Sequence, residues 1–105
     1  PKDSRSLMPG FPVVFHPDAV EEAQVARQWY LVRSHSAADS FLAELDIGIE
    51  AISQAPERWP LFKYGTRRYL FHRFPFQLIY RVVDDRIQVV AVAHGWRRPG
   101  YWKSR

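Results

Sequence analysis

The hydrophobic period of this chain changes once, and that change limits the fold more than any other feature. From Ala19 to Ile52 apolar residues recur at spacings of three and four, the period of a helix face. From Arg67 to His94 they alternate, the period of a strand. Helices followed by a run of strands define an α+β class, because a parallel-sheet protein would interleave the two periods. With 105 residues, 47% of them apolar by type, the chain suits a single domain with its own core.

A short β-type run, Phe11 to His16, precedes the helices. Pro17 ends it and also suits the first turn of a helix. Asp18, Glu21 and Glu22 place negative charge at the helix end that favours it, and Arg33 supplies the opposite sign at the other. Ala19, Ala23, Ala26 and Tyr30 form the stripe expected to face the core. Ser34 to Ser36 breaks the pattern, after which Ser36, with Asp39 three residues on, reads as the cap of a second helix. In that helix Ala38, Phe41, Leu42, Leu45, Ile49 and Ile52 make the buried face, with Asp39, Glu44, Asp46 and Glu50 turned away from it. So short a link predicts an antiparallel helix hairpin on one face of the sheet, its acidic faces outward.

Ala55 to Gly65 contains two prolines and a glycine and predicts a loop, pinned to the core by Trp59 and Phe62. Strands are expected at Arg67 to Phe74, Phe76 to Val83 and Arg86 to His94, with reversals at Pro75 and at Asp84-Asp85. Turns this tight make the three strands an antiparallel meander, which the N-terminal strand completes into one small sheet. Helical or alternating spacing assigns Trp29, Trp59, Phe41 and Phe71 to the core. Residues 1–10 read as a disordered stub or a cloning remnant ahead of the domain.

The formal charge of +4 conceals a division. Residues 1–57 hold four Lys/Arg against nine Asp/Glu, a net −5, whereas residues 58–105 hold eleven against two, a net +9. The last twelve residues, His94 to Arg105, carry four cationic side chains and three large aromatics with no carboxylate. They follow the most apolar strand, which anchors them while leaving them free to meet an anionic partner. With no cysteine there is no disulfide, thiol nucleophile or thiolate metal site. His16, His35, His72 and His94 lack ligand spacing, so neither a metal nor another cofactor is expected. No apolar stretch approaches membrane length and no signal peptide is visible, which makes the cytoplasm the expected location.

Five segments in order resemble the RelE/ParE superfamily of toxins from type II toxin–antitoxin modules. They are Pro17-Asp18-Ala19 before the first helix, Ala55-Pro56-Glu57 after the second, and Gly65-Thr66-Arg67-Arg68 opening a strand. The strand Phe74-Pro75-Phe76-Gln77-Leu78-Ile79-Tyr80-Arg81-Val82 and the tail His94-Gly95-Trp96-Arg97-Arg98-Pro99-Gly100-Tyr101-Trp102 complete the set. The resemblance implies a compact toxin held inactive by a cognate acidic antitoxin that is partly disordered until bound, as a homodimer or as a heterotetramer with it. An acidic partner of that kind would be steered toward the half carrying +9.

The superfamily divides by target. RelE-like members cut messenger RNA in the ribosome, whereas ParE-like members poison DNA gyrase and lack the nuclease constellation. In the nuclease branch an arginine stands before the Leu-x-Tyr of the middle strand, and here that position is Gln77. A neutral amide cannot supply the charge, and losing one such interaction costs a factor of about a hundred or more in rate. The resemblance therefore favours a gyrase inhibitor over an enzyme, with target contacts expected from Arg67, Arg68, Gln77, Arg81, His94, Arg97, Arg98, Tyr101, Trp102 and Arg105. The alternatives are a metal-independent ribosome-dependent ribonuclease using Arg67 or Arg68, His94, Arg97, Arg98 and Tyr101, or a non-toxic nucleic-acid-binding member of the fold. Arg67 and Arg68 alternate across their strand, so only one can serve either surface. Arg81 shares a face with Gln77 and Ile79, which is either solvent or the antitoxin groove.

Overall fold

The computed structural model describes residues 10–105. The expectation for the N-terminal stub falls, at residues 1–9, outside the described residues. Four strands form one sheet in the order β1-β4-β3-β2, with β1 (Val13–Phe15) parallel to β4 (Arg86–His94). β3 (Phe76–Val83) runs antiparallel between β4 and β2 (Arg67–Leu70). The two helices, α1 (Pro17–Arg33) and α2 (His35–Gln54), form the expected hairpin on one face.

The strand enters α1 with no intervening loop. The His16 amide donates to the Val89 carbonyl at 2.9 Å, and its imidazole Nδ1 accepts from the Asp18 amide at 3.0 Å, so one residue ends the ladder and caps the helix. The second cap is Ser34, two residues earlier than the spacing to Asp39 suggested. Its Oγ accepts from the Ala37 amide at 3.1 Å and its own amide donates to the Tyr30 carbonyl at 2.7 Å, so Ser34 closes α1 and opens α2.

Phe41 of α2 lies fully buried among the rings of Tyr30, Phe71, Phe74 and Phe76. Gly48 lets the same helix press on the sheet, since a Cβ there would lie 2.9 Å from the Tyr69 ring and 3.0 Å from Leu78. Glu44 was expected to face outward and is instead buried. Its carboxylate accepts from the His72 and Arg73 amides at 3.0 and 3.3 Å and pairs with Arg73 Nε at 3.1 Å. This explains why strand pairing does not run on to Phe74: the Phe71 amide still donates to the Phe76 carbonyl at 2.9 Å, but the His72 and Arg73 amides after it bond a helix carboxylate in place of a neighbouring strand. Burial alone would raise the Glu44 pKa, but Arg73 and the two amides outweigh it and hold the carboxyl below its ordinary value.

Asp84 and Asp85 both adopt positive φ, 51° and 64°, and make the predicted two-residue hairpin whose twist matches its strands. Partway along β3 the pairing jumps from Ile79–Ala91 to Tyr80–Val89, leaving Val90 as a bulge. Leu78 and Tyr80 point to the helices, and the Tyr80 hydroxyl donates to the Pro56 carbonyl. Burial pushes that hydroxyl up to about 12. Ile79, Val90, Ala91 and Ala93 form a second apolar cluster on the helix-free face, covered by Trp102. Trp102 stacks on Phe62 at 5.5 Å, and Trp59 meets Tyr69 edge-on at 4.9 Å, so both loop aromatics pin the loop as expected. Trp29 does not join the core: it is half exposed on the outer side of α1.

Candidate functional site

The sheet separates the residues that the sequence had grouped. Arg67 points to the helix side with Tyr69, where its guanidinium donates to the carbonyls of Glu57 at 3.2 Å and Trp59 at 2.6 Å, so it ties down the loop after α2. Arg68 points to the opposite face and lies over the Phe62 ring at 4.3 Å. Gln77 and Arg81 share the helix-free face. Arg81 bonds Gln88 at 3.1 Å and the Arg105 carbonyl, and Gln77 Oε1 is buried with no protein partner. His94 is paired with Phe76 on the helix side, ring edge to ring face at 5.0 Å, and its Nδ1 accepts from the Trp96 amide. The sheet therefore stands between His94 and Arg68.

The tail is folded back and anchored by one carboxylate. Glu22, four residues into α1's acidic turn, was expected to face solvent. Its Oε1 instead accepts from the Val92 amide at 2.9 Å, on the β4 edge that β1 leaves uncovered, and its Oε2 accepts from the Tyr101 hydroxyl and from Arg105, both at 2.9 Å. Arg105 also donates to the Val90 carbonyl at 3.0 Å and pairs with Asp18 at 3.5 Å. Burial first, then the charge of Glu22, pushes the Tyr101 hydroxyl far above its usual range. The hydroxyl proton is thus committed to the Glu22 carboxylate. Arg97 lies over the Tyr101 ring at 3.8 Å with its side chain exposed, and Arg98 is exposed beside it.

Two surfaces remain open. On the helix-free side Tyr64 is exposed while its backbone is held at φ 61°, costly for a residue with a Cβ. Its ring closes on Gly100, which has no Cβ to block it, and Lys103 lies 5.6 Å from the ring centre. With Arg68 over Phe62 nearby this gives a basic, aromatic surface. Sequence reasoning missed Tyr64 and Lys103, and the only signal for Tyr64 was the glycine after it. On the helix side a groove of about 610 Å³ runs between α1 and the end of β4, lined by Glu21, Val25, Trp29, Phe76, His94 and Arg97 among others. No group of three or more metal-binding side chains occurs among the described residues, and none of their helices is long and apolar enough to cross a membrane.

A helix hairpin on a three-stranded meander, extended by a parallel N-terminal strand, is the architecture of the RelE/ParE superfamily. Residues 13–99 match the family described as the ParE toxin of type II toxin–antitoxin systems, parDE, and the chain belongs to that family. Among solved structures it is similar to a chain of the chromosomal ParDE toxin–antitoxin system from P. aeruginosa, with a TM-score of 0.70 at 17% identity, covering 80% of this chain and 95% of that one. No curated protein matches it by sequence.

Proposed function

We propose that this ParE-family toxin acts by binding, with DNA gyrase as its target, and that a cognate antitoxin neutralises it within a module stabilising a plasmid or chromosome in the cytoplasm. The observation that carries this reading is the division of the cationic and titratable residues by the sheet. A ribonuclease needs a proton acceptor, a proton donor and cations around one phosphate. Here His94 and Arg68 lie on opposite faces, Arg67 is committed to loop carbonyls, and the Tyr101 hydroxyl is committed to Glu22. Neutral Gln77 stands where the nuclease branch carries an arginine, which adds to the case.

The target surface in this reading is the helix-free face, where Arg68, Tyr64 and Lys103 surround the Phe62–Trp102 stack, together with exposed Arg98. Arginine over an aromatic ring stays presented to an acidic or phosphate-bearing partner. The test pairs two assays of the purified protein. Gyrase supercoiling of relaxed plasmid is expected to fall as the protein is added, and messenger on translating ribosomes is expected to stay intact. Arg68→Glu with Lys103→Glu is expected to weaken gyrase inhibition by about tenfold or more. In-frame messenger cuts with gyrase unaffected would overturn the reading.

A further inference from the structure

We propose, on the reading of gyrase as target given above, that Trp96 is the toxin's anchor: its indole enters an apolar pocket of the gyrase protein, and Arg97 and Arg98 meet carboxylates at the pocket's rim. The tail carries two tryptophans, and the sequence set Trp102 among the target contacts and left Trp96 out. The structure reverses them. Trp102 is 2% exposed, covering the helix-free face, whereas Trp96 is 88% exposed.

No other large apolar side chain among the described residues is as exposed, Leu61 following at 72%. An indole left in water offers a partner about 150–250 Å² to bury, one of the largest contributions a single side chain makes to an interface. Tryptophan and arginine also lead the residues whose removal costs an interface most, and here they are consecutive. A single exposed apolar residue is ordinary, and what distinguishes Trp96 is the backbone beneath it.

Both flanks of the turn are braced. The Gly95 amide donates to the Pro75 carbonyl at 2.7 Å, the Trp96 amide to His94 Nδ1 at 3.0 Å, and the Arg97 amide to the His94 carbonyl at 3.0 Å. Further on, the Tyr101 amide donates to the Arg98 carbonyl at 3.3 Å, and Glu22 holds both Tyr101 and Arg105. Only the two torsions of the indole remain to be ordered when a partner closes on it, so binding costs little conformational entropy. A large ring that adds little to the fold, held in solvent on a fixed turn, is built to be buried by something else.

The chemistry of the pocket follows from the neighbours of Trp96. Arg97 lies over the Tyr101 ring at 3.8 Å, Arg98 is exposed, and among the described residues neither has an ion pair. No Asp or Glu occurs between Arg86 and Arg105. Two guanidiniums beside an apolar ring match carboxylates around an apolar cavity, the usual division of a protein interface into centre and rim. A nucleic-acid strand fits less well. Arg97 lines one groove with Asp18, Glu21 and Glu22, so a phosphate backbone running past the turn on that side would meet carboxylates, whereas a pocket rim needs to reach only the two arginines. The chain leaves β4 at His94 on the helix side and reaches the helix-free face at Trp102, so the turn lies on its path toward the face that carries Arg68 and Lys103.

The test measures binding of the full chain to purified gyrase without DNA, with inhibition of supercoiling alongside. Trp96→Ala is expected to weaken binding by about thirtyfold or more, and inhibition with it, while melting at the temperature of the wild type. Arg97→Ala with Arg98→Ala is expected to cost about tenfold and keeps the test decisive if Trp96→Ala alters the fold. Trp96→Phe, which keeps a ring, is expected to retain most of the affinity, and Trp29→Ala, at an exposed tryptophan of α1, to leave it unchanged. Wild-type affinity and inhibition in Trp96→Ala would overturn the anchor while leaving gyrase as the target. Inhibition lost with DNA-free binding unaltered, or wild-type binding that requires DNA, would assign the turn to nucleic acid and overturn the protein pocket. A Trp96→Ala chain that inhibits gyrase fully but no longer binds the product of the adjacent reading frame would assign the turn to the antitoxin and overturn it equally. A wild-type chain that neither binds nor inhibits gyrase would overturn the target and the anchor together.

Discussion

The two helices differ in what they bury. α2 has a clean core face, Ala38, Phe41, Leu45 and Ile52, and Gly48 brings it close to the sheet. α1 buries only Ala19 and Ala26 and leaves Val25, Trp29 and Val32 exposed. Small residues on the inner side let α1 lie close to α2 and β4, with Tyr30 its one large ring in the core cluster, while Val25, Trp29 and Val32 point elsewhere. A helix whose bulk faces away from the core is held in place by its neighbours and is available to something outside. α2 therefore carries the fold, and α1 carries surface.

The comparison is most easily broken at Phe41. Phe41→Ala removes the centre of the ring cluster and is expected to cost about 3–5 kcal/mol in denaturant unfolding; a loss below about 1 kcal/mol would deny α2 its role. Gly48→Ala drives a methyl toward the Tyr69 ring and Leu78, with an expected loss of about 1–3 kcal/mol despite alanine's better helix propensity.

Glu44 sharpens the comparison by pH. Its folded pKa is depressed, so the stability it adds is fully present above the ordinary carboxylate value and is lost as pH falls through the lower folded value. Glu44→Gln is therefore expected to melt lower at about pH 7, and the gap to the wild type is expected to shrink toward about pH 3. A gap independent of pH would mean that hydrogen bonding alone matters there.

The smaller effects belong to α1. Tyr101→Phe deletes one hydroxyl bonded to Glu22 and is expected to cost about 1 kcal/mol, with faster amide exchange in the tail and toxicity retained. Toxicity lost in a folded Tyr101→Phe chain would restore the nuclease reading. Trp29→Ala is expected to change stability by about 1 kcal/mol or less in the isolated chain, because the indole is half exposed.

Much of this architecture was legible along the chain, because periods, caps and turns are local. The switch from helical to alternating spacing set the class and the element order. Pro17 marked the start of α1, and Asp84-Asp85 and Pro75 marked the strand reversals. The second cap was misplaced by two residues because Ser34 and Ser36 look alike locally, and only the close approach to Tyr30 distinguishes them.

What the chain could not state is which charges meet. Glu44 and Glu22 lie in acidic helical stretches that read as solvated faces, yet each accepts backbone amides from a segment 28 or 70 residues away. Trp29 reads as core by its type and spacing, but Ala19 and Ala26 take the inner positions and leave it outside. Arg67 and Arg68 are adjacent and chemically identical, and only the pleat against β3 sends one to the loop and the other to the open face. The sequence by itself determined the elements and their order, since these depend on neighbours in the chain. The tertiary structure decided which carboxylate anchors the tail and which aromatic stays exposed, since burial and ion pairing depend on neighbours in space.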